Sequence, residues 1–333
     1  MKNFYMNLAL AEAWKYQFLT YPNPAVGCVI LDKNEKILSI KAHECSGAAH
    51  AELNAIKQAL STLRPEFDFP SEPNALHAFI LKNHQNLLQD AQAFVSLEPC
   101  NHQGKTPPCA RLFAALGFKK IHISVRDESV LAGGGAEFLK RGGVAVEWDI
   151  LKAEGERLLK PFLKWQKGQF KLFKLALSLN GSALGKIVSN ERSRTYAHKI
   201  RSKIDLLVVG GDTMRKDRPL LDSRLCGGRA PNLCILSRQS LENFDPSIPA
   251  FGVKGREIHT KIPQEARFLM YEGGENFLRL LKDEMDMFLI FQNSRLVEEK
   301  SLNLNLEFTP LFRGELGDDS YGIYELSPSP SRG

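Results

Sequence analysis

The sequence predicts an α/β protein built from two successive domains, and three observations carry that prediction. Short apolar runs bounded by Gly, Pro, Asn or Asp recur along the chain and read as buried strands. Segments with apolar residues at helical spacing fall between them, and strand alternating with helix implies a mostly parallel sheet covered on both faces. The alternation pauses over Leu151 to Gly168, a basic helical stretch without strand signal, and restarts at Phe170. A length of 333 residues gives each half enough chain for a core of its own. The expected division is therefore 1–150, a connecting segment 151–169, and a second domain 170–326. The Ser/Pro-rich tail 327–333 is expected to be disordered.

In order along the chain, a first helix is predicted over Phe4 to Phe18. Pro22-Asn23-Pro24 then makes a rigid turn, because proline fixes its own backbone angle and restricts its predecessor. Ala25 to Leu31 reads as a buried strand, and Lys36 to Ala42 as its hairpin partner across the polar turn at Asp32-Lys33-Asn34. Leu53, Ile56 and Leu60 form a helical stripe within His50 to Leu60. Ala93 to Leu97 is a strand. Cys109 to Leu116 is a helix, opened by Pro107-Pro108 and closed by Gly117. Strands over Lys120 to Val125 and Val144 to Trp148 flank a helix from Ala136 to Lys140. In the second domain, strands are predicted at Leu172 to Leu179, Leu206 to Val209, Leu233 to Leu236, Phe268 to Tyr271 and Met287 to Phe291. Helices are predicted over Glu191 to Ser202 and from near Glu275.

Composition narrows the function classes. Hydrophobic residues make up 43% and charged residues 25%, ordinary values for a soluble globular protein. No run approaches the ~18 apolar residues that span a bilayer, and the first ten residues lack a signal-peptide core, so a cytosolic protein without a membrane partner is expected. The formal charge of +6 is spread along the chain rather than massed in the basic stripe of a nucleic-acid binder, so no nucleic-acid partner is expected. A mild positive excess also suits small phosphorylated ligands. The six cysteines are too few, in such a compartment, for a disulfide framework. Cys28, Cys45, Cys226 and Cys234 read as small hydrophobes.

Cys100 and Cys109 keep different company. Zinc favours thiolate and imidazole ligands, and a catalytic zinc keeps one position open. His50, Cys100 and Cys109 offer three such ligands, each at a predicted element start, where helix N-termini favour thiolates. Glu52, two residues beyond His50, supplies a carboxylate able to move a proton. The zinc-deaminase pattern is H-x-E followed by P-C-x-x-C. His50-Ala51-Glu52 and Pro99-Cys100 match it, but eight residues rather than two separate the cysteines. On spacing alone, a buried histidine with two core cysteines stays open as the alternative.

The longer spacing points further. Ser96 to Cys109, read as SLEPCNHQGKTPPC, closely resembles the zinc loop of the bifunctional riboflavin-biosynthesis deaminase/reductase family. Pro22 to Ile30, read as PNPAVGCVI, resembles that family too, with His50-Ala51-Glu52 in the proper order between them. The resemblance implies a cytidine-deaminase-like three-layer fold that holds one Zn2+ per chain on His50, Cys100 and Cys109. Glu52 would shuttle a proton while water activated by the metal displaces ammonia from a diaminopyrimidinone carrying a ribose 5′-phosphate. By the same match Asn23, His43, His102 and Lys105 would line the substrate pocket.

The second half resembles the reductase domain of that family through Lys174 to Gly181, Ile200-Arg201-Ser202, Gly210 to Leu220 and Glu272-Gly273-Gly274. This implies a dihydrofolate-reductase-like α/β fold in which NADPH reduces the ribosyl side chain to ribityl. Ala176, Thr213, Asp217, Ser237, Gly273 and Gly274 fall at cofactor positions. Arg201, Leu221, Arg224 and Glu272 fall at substrate positions, and the two arginines offer planar donors suited to phosphate. The chain departs from the pattern at Asn180, where the family has Asp. The loop after Gly181 is short and lacks a Trp, and the segment from Arg224 to Glu272 is compressed. A homo-oligomer, dimer or tetramer, is implied as well.

Two features stand outside this reading. The stretch from Ser61 to Asp90 is longer than the family's, and His77 and His84 within it would share one helical face, a candidate second metal pair. Gly133-Gly134-Gly135 lacks the order of a dinucleotide fingerprint. Two other functions compete: a deaminase whose C-terminal domain serves docking or dimerisation, and a nucleic-acid-binding protein with a closed structural zinc site.

Overall fold

The computed structural model describes residues 1–102, 107–128, 133–183 and 189–328. The chain divides into two compact units, Met1–Phe162 and Leu163–Gly333.

The first unit runs through helix α1 (Lys2–Trp14), strands β1 (Gly27–Leu31) and β2 (Ile37–Ala42), and helices α2 (Ala51–Leu63) and α3 (Pro73–Asn83). It continues with β3 (Gln92–Leu97), α4 (Cys109–Ala115), β4 (Lys120–Val125), α5 (Gly135–Arg141), β5 (Ala145–Glu147) and α6 (Lys152–Lys167), inside which the division falls. Its five strands form one sheet in the order β2-β1-β3-β4-β5. The expectation of a mostly parallel sheet is corrected here. β1 is antiparallel to both β2 and β3, and only β3-β4 and β4-β5 are parallel. The Asp32 turn allows β2 nothing but a hairpin, where Asp32 Oδ1 accepts the N–H groups of Asn34 and Lys36 at 2.8 and 2.9 Å.

Strand alternation sorts the side chains onto two faces. Cys28, Ile30, Val95, Ile121 and Ile123 join the core with α2, α3, α4 and α5 residues such as Leu53, Ile80, Phe113 and Leu139. The opposite face meets α1, where Tyr5 packs on Phe94 at 5.2 Å, and the start of α6, where Leu151 O accepts from Ser124 Oγ at 3.0 Å. Three layers result. α1 itself ends at Trp14, four residues before the predicted end. A series of turns follows it, closed by Thr20 Oγ1 donating to Gln17 O at 3.5 Å.

The segment 61–90 contains α3, in keeping with the helical reading of its His77 and His84. Glu72 caps it by accepting from the backbone N–H groups of Asn74 and Ala75, with Pro73 at the first helical position. His77 is buried on this helix, whereas His84 lies just past its end and accepts from the Asn86 N–H. Neither histidine belongs to a group of three or more metal-capable side chains among the described residues. The only group of metal-capable side chains found among the described residues is a different one.

The second unit carries β6 (Phe170–Leu177), α7 (Glu191–Arg201), β7 (Leu206–Gly210), α8 (Gly211–Asp217), β8 (Asn232–Leu236) and β9 (Ile258–His259). After these come β10 (Phe268–Glu272), α9 (Glu275–Leu281), β11 (Met287–Gln292), β12 (Phe308–Leu316) and β13 (Asp319–Leu326). All eight strands form one sheet in the order β12-β13-β11-β6-β10-β7-β8-β9. It is parallel from β11 to β9 and antiparallel only where β13 joins β11 and β12. The β12-β13 hairpin was not foreseen. The residues of β12 alternate between partly buried and exposed, so no continuous apolar run marks it. Phe173, Leu175, Leu206, Val208, Leu269 and Tyr271 pack on one face with Leu278 of α9. Of the tail 327–333, residues 329–333 lie outside the described residues.

One close approach sets the first unit's register. A Cβ on Gly27 would sit 1.9 Å from the carbonyl oxygen of Ala9, a backbone atom that cannot swing away. Gly27→Ala should therefore lower stability by about 1–3 kcal/mol, the usual cost of overpacking, in a urea unfolding titration. An unchanged midpoint would show that α1 does not press on β1.

Candidate active site

His50 caps α2 from an extended backbone conformation, which places its ring at the helix entrance. Cys100 follows the end of β3, and Cys109 is the first residue of α4. Their convergence is close. His50 Nδ1 lies 3.7 Å from Cys100 Sγ and 3.6 Å from Cys109 Sγ, and all three ligand atoms fall within 4.8 Å of one another. Zn–S near 2.3 Å and Zn–N near 2.05 Å at tetrahedral angles require an N···S separation of about 3.6 Å. The donor set fits zinc in chemistry and in spacing. The structure also fixes which imidazole nitrogen faces the sulfurs, which no spacing rule reveals.

The charge pattern is that of a metal centre. The Cys109 backbone N–H points at Cys100 Sγ from 3.5 Å. A hydrogen bond from the Cys109 thiol, together with the imidazole of His50, brings the Cys100 thiol down to about 4 against the cost of burial. Cys109 moves the other way, because its neighbour already carries the charge. Two adjacent thiols cannot both ionise at neutral pH unless a cation lies between them. The Cys109 thiol, the His50 imidazole and the Cys109 backbone N–H all favour charge on Cys100. Glu52, on the first turn of α2, is almost fully buried. Desolvation and the Cys100 charge push its carboxyl up to about 7 in spite of His50.

Around these groups, two of the residues expected to line a substrate pocket, Asn23 and His43, show a defined hydrogen-bond order. His43 Nδ1 lies 3.0 Å from Ala49 O, which can only accept, so that nitrogen carries the hydrogen. Desolvation lowers the ring's pKa to about 4, so it is neutral and Nε2 must accept. Asn23 Nδ2 therefore donates to it at 3.2 Å, which turns the Asn23 carbonyl oxygen away from His43. The His43 and His50 rings meet edge to face at 5.7 Å. His102 is exposed, and Lys105 lies outside the described residues.

In the second unit the expected positions gather at the C-terminal ends of parallel strands, where ligands of open α/β sheets bind. Ala176 is near the end of β6, Thr213 and Asp217 are on α8 directly after β7, Ser237 follows β8, and Gly273-Gly274 follow β10. A Cβ on Gly211 would reach 2.7 Å from Ser237 Oγ, so α8 starts hard against the β8 exit.

Of the four positions expected to meet substrate, Arg201, Arg224 and Glu272 share one charged cluster through Asp222, and Leu221 adjoins it. Arg201 donates to both Glu272 oxygens, Nε to Oε1 at 2.8 Å and Nη2 to Oε2 at 2.7 Å, and Nη1 reaches Asp222 O at 3.3 Å. Arg224 is exposed and reaches Asp222 Oδ1 at 2.6 Å. Leu221 is buried in a left-handed conformation at φ 56°. Its carbonyl, with that of Leu220, is held by Arg256. Asp222, Arg256 and Lys174 were not singled out from the sequence. A usable signal existed only for Lys174, a lysine inside the apolar run of a central strand, with Nζ 3.9 Å from Glu272 Oε2. His198 is neutral, its pKa lowered to about 4 by desolvation and the Arg201 charge.

Asn180 explains its own departure from the family pattern. Its Nδ2 donates to Val297 O at 3.0 Å and Glu299 O at 3.4 Å, while Oδ1 accepts from Val297 N–H and Ser178 Oγ. An aspartate could not make the two donations. Residues 184–188 of the short loop lie outside the described residues.

Comparison with known proteins accords with this geometry. Residues 1–125 match the cytidine and deoxycytidylate deaminase zinc-binding region. The riboflavin biosynthesis protein RibD of Bacillus amyloliquefaciens is 34% identical over 233 residues, 68% of this chain and 56% of the relative. The RibD of Actinobacillus pleuropneumoniae is 34% identical over 71% of this chain and 58% of its own length. The match thus spans less than two thirds of these relatives. The RibD of Mycobacterium tuberculosis is 28% identical over 85% of this chain and 76% of its own. A solved Thermotoga maritima diaminohydroxyphosphoribosylaminopyrimidine deaminase/5-amino-6-(5-phosphoribosylamino)uracil reductase shares the fold at TM-score 0.63. That likeness covers 98% of this chain and 99% of the other at 22% identity. The chain belongs to the RibD family. Its two units accordingly have the cytidine-deaminase-like and dihydrofolate-reductase-like folds.

Burial alone would raise the Glu272 carboxyl, but Arg201 and Lys174 outweigh it and hold the group at about 2 against an ordinary 4.5. The folded-state value is the lower one. Its stabilisation is therefore complete above about 4.5 and is lost as pH falls toward 2. Glu272→Gln should flatten that acid slope in pH-dependent urea unfolding and cost about 3–5 kcal/mol at neutral pH, because a buried Arg201 is left unpaired. A variant as stable as wild type would remove the ion pair from the fold's support.

Proposed function

We propose that this chain carries out two consecutive steps of riboflavin biosynthesis. The first is zinc-dependent hydrolytic deamination of a diaminopyrimidinone ribose 5′-phosphate. The second is reduction of the ribosyl side chain to ribityl by NADPH. The observation that carries the reading is the convergence of His50 Nδ1 and two cysteine sulfurs within 4.8 Å of one another, beside a buried carboxyl group. The names of the relatives, the Thermotoga maritima deaminase/reductase among them, support it.

His50, Cys100 and Cys109 would hold the zinc, and Glu52 would be the catalytic residue. Bound zinc supplies the Lewis acidity that makes water a nucleophile at neutral pH. Glu52, whose burial raises its affinity for a proton, can take a proton from that water and give it up again. Water adds at the ring carbon bearing the amino group, the C–N bond breaks, and the proton carried by Glu52 leaves with ammonia. Asn23, oriented by His43, offers an acceptor to an N–H of the pyrimidine, with His102 and Lys105 as further pocket residues.

In the second unit Arg201, Leu221, Arg224 and Glu272 would take the phosphorylated product. Exposed Arg224 is the readier phosphate donor, because Arg201 is saturated by Glu272. Ala176, Thr213, Asp217, Ser237, Gly273 and Gly274 would hold NADPH. The reading places a homo-oligomer in the cytosol. Among the described residues no helix is long and apolar enough to cross a membrane.

Glu52→Gln should keep zinc bound while ammonia release falls about 10²–10⁴-fold, the span of lost general acid–base catalysis. Retained turnover would remove the proton-carrying role. Cys109→Ser should lower the zinc content measured by metal analysis, and unchanged stoichiometry would take it out of the ligand set. The second step is checked by NADPH oxidation on the deaminated product. No turnover by a well-folded chain would favour a C-terminal unit that only docks or dimerises.

A further inference from the structure

The deaminase reading leaves the glycine run before α5 unused, along with a buried carboxylate two residues ahead of Cys100. The two are joined. Glu98 is buried at the exit of β3, where its N–H donates to Val125 O at 2.9 Å. Its carboxylate gathers three more backbone groups. Oε2 accepts from Asp127 N–H at 3.2 Å, and Oε1 accepts from Gly134 N–H at 3.2 Å and Ala136 N–H at 3.0 Å.

The glycines make this wrapping possible. Gly134 has φ +88°, the left-handed region that other residues enter at a cost. A Cβ on Gly135 would lie 1.8 Å from Pro99 O and 3.3 Å from the Ala110 Cβ. Pro99 precedes Cys100 and Ala110 follows Cys109. The start of α5 is thus seated against both cysteine-bearing segments at once. Those segments are tied to each other too, through Ala110 N–H to Cys100 O at 3.1 Å.

We propose that Glu98 and the Gly134-Gly135 pair form a clasp that sets where the Cys100 sulfur stands relative to Cys109 and His50. Glu98 is then a positioning residue of the metal centre. This rests on the zinc reading above, and it follows from how such sites work. Ligand thiolates bind tightly when their backbone is already where the metal needs it, and groups supporting the ligands govern affinity nearly as much as the ligands do.

Glu98→Gln preserves shape but turns an NH2 toward a backbone donor, so one of the three acceptances is lost. The zinc Kd, measured by competition with a chromophoric chelator, should rise about 10- to 100-fold. The thiolate-to-metal absorption of the cobalt-loaded protein should shift, and the zinc-induced rise in Tm should shrink. A residue that merely held the fold would lower Tm equally with and without metal. Wild-type zinc affinity with an unaltered cobalt spectrum overturns the clasp. Should Glu98→Gln fail to fold, Gly134→Ala strains the same backbone while adding a methyl group into open space. The same two measurements then apply to it, with a weakened zinc Kd expected and an unchanged one overturning the clasp. Zinc uptake by the unaltered chain separates the two claims. Its absence sinks the metal reading and the clasp together, whereas equal uptake by wild type and variant sinks the clasp alone.

Discussion

An imidazole nitrogen facing two sulfurs at 3.6 and 3.7 Å tolerates little displacement of the elements that carry them. Slipping α2 by one residue would rotate His50 by about 100° around the helix. Slipping β3 by one would send its side chains to the opposite face. Much of the first unit can be read as securing those positions. Gly27 lets α1 press against β1, Ala49 O fixes the His43 ring beside His50, and the antiparallel β1-β3 pairing locks β3 in register. The core residues of α2 and α4 lie on one face of the same sheet, so both helix entrances open toward one place.

Most strand positions and the three side chains that converge, His50, Cys100 and Cys109, were legible in the sequence because each carries a local physical mark. The strands are β-branched and apolar, and Pro107-Pro108 opens α4 while Gly117 follows its end. Those three side chains stand out through residue chemistry and through the long resemblance around Cys100. Strand direction was not legible in the same way. A short turn such as Asp32-Lys33-Asn34 forces β2 antiparallel, but nothing local states that β3 pairs with β1 in the opposite sense. The bounds of α3 were not drawn from the sequence, although Leu76, Phe79 and Ile80 stand at helical spacing and Glu72-Pro73 marks its start. The β12-β13 hairpin was hidden by partial exposure at the sheet edge.

Pairings between distant charges are the largest class of features that sequence could not supply. Arg201 and Glu272 are 71 positions apart and make two short bonds. Asp222 and Arg256 shape the same region without any motif to mark them. Asn180 shows the reverse case. Against a family pattern it reads as a lost carboxylate, yet its amide makes two donations that a carboxylate cannot. A departure from a pattern is thus ambiguous until its hydrogen bonds are known.

The two units handle buried charge in opposite ways, and the contrast matches what each would have to do. In the first, Glu52 lies among sulfur and imidazole, and desolvation beside the Cys100 charge raises its affinity for a proton into the neutral range. That suits a group which must pick up and release protons in turn. In the second, Glu272 is saturated by Arg201 and approached by Lys174, which drives its proton affinity far down. Such a carboxylate does not exchange protons near neutrality. It holds cations in place. With His198 neutral, Lys174, Arg201, Arg224 and Arg256 outnumber Glu272 and Asp222 by two positive charges, and Arg224 is the exposed member. The first arrangement favours bond-breaking through proton movement, and the second favours gripping an anion. Under the proposed function, a phosphorylated substrate that loses an amine in one unit and is held for hydride delivery in the other would need both.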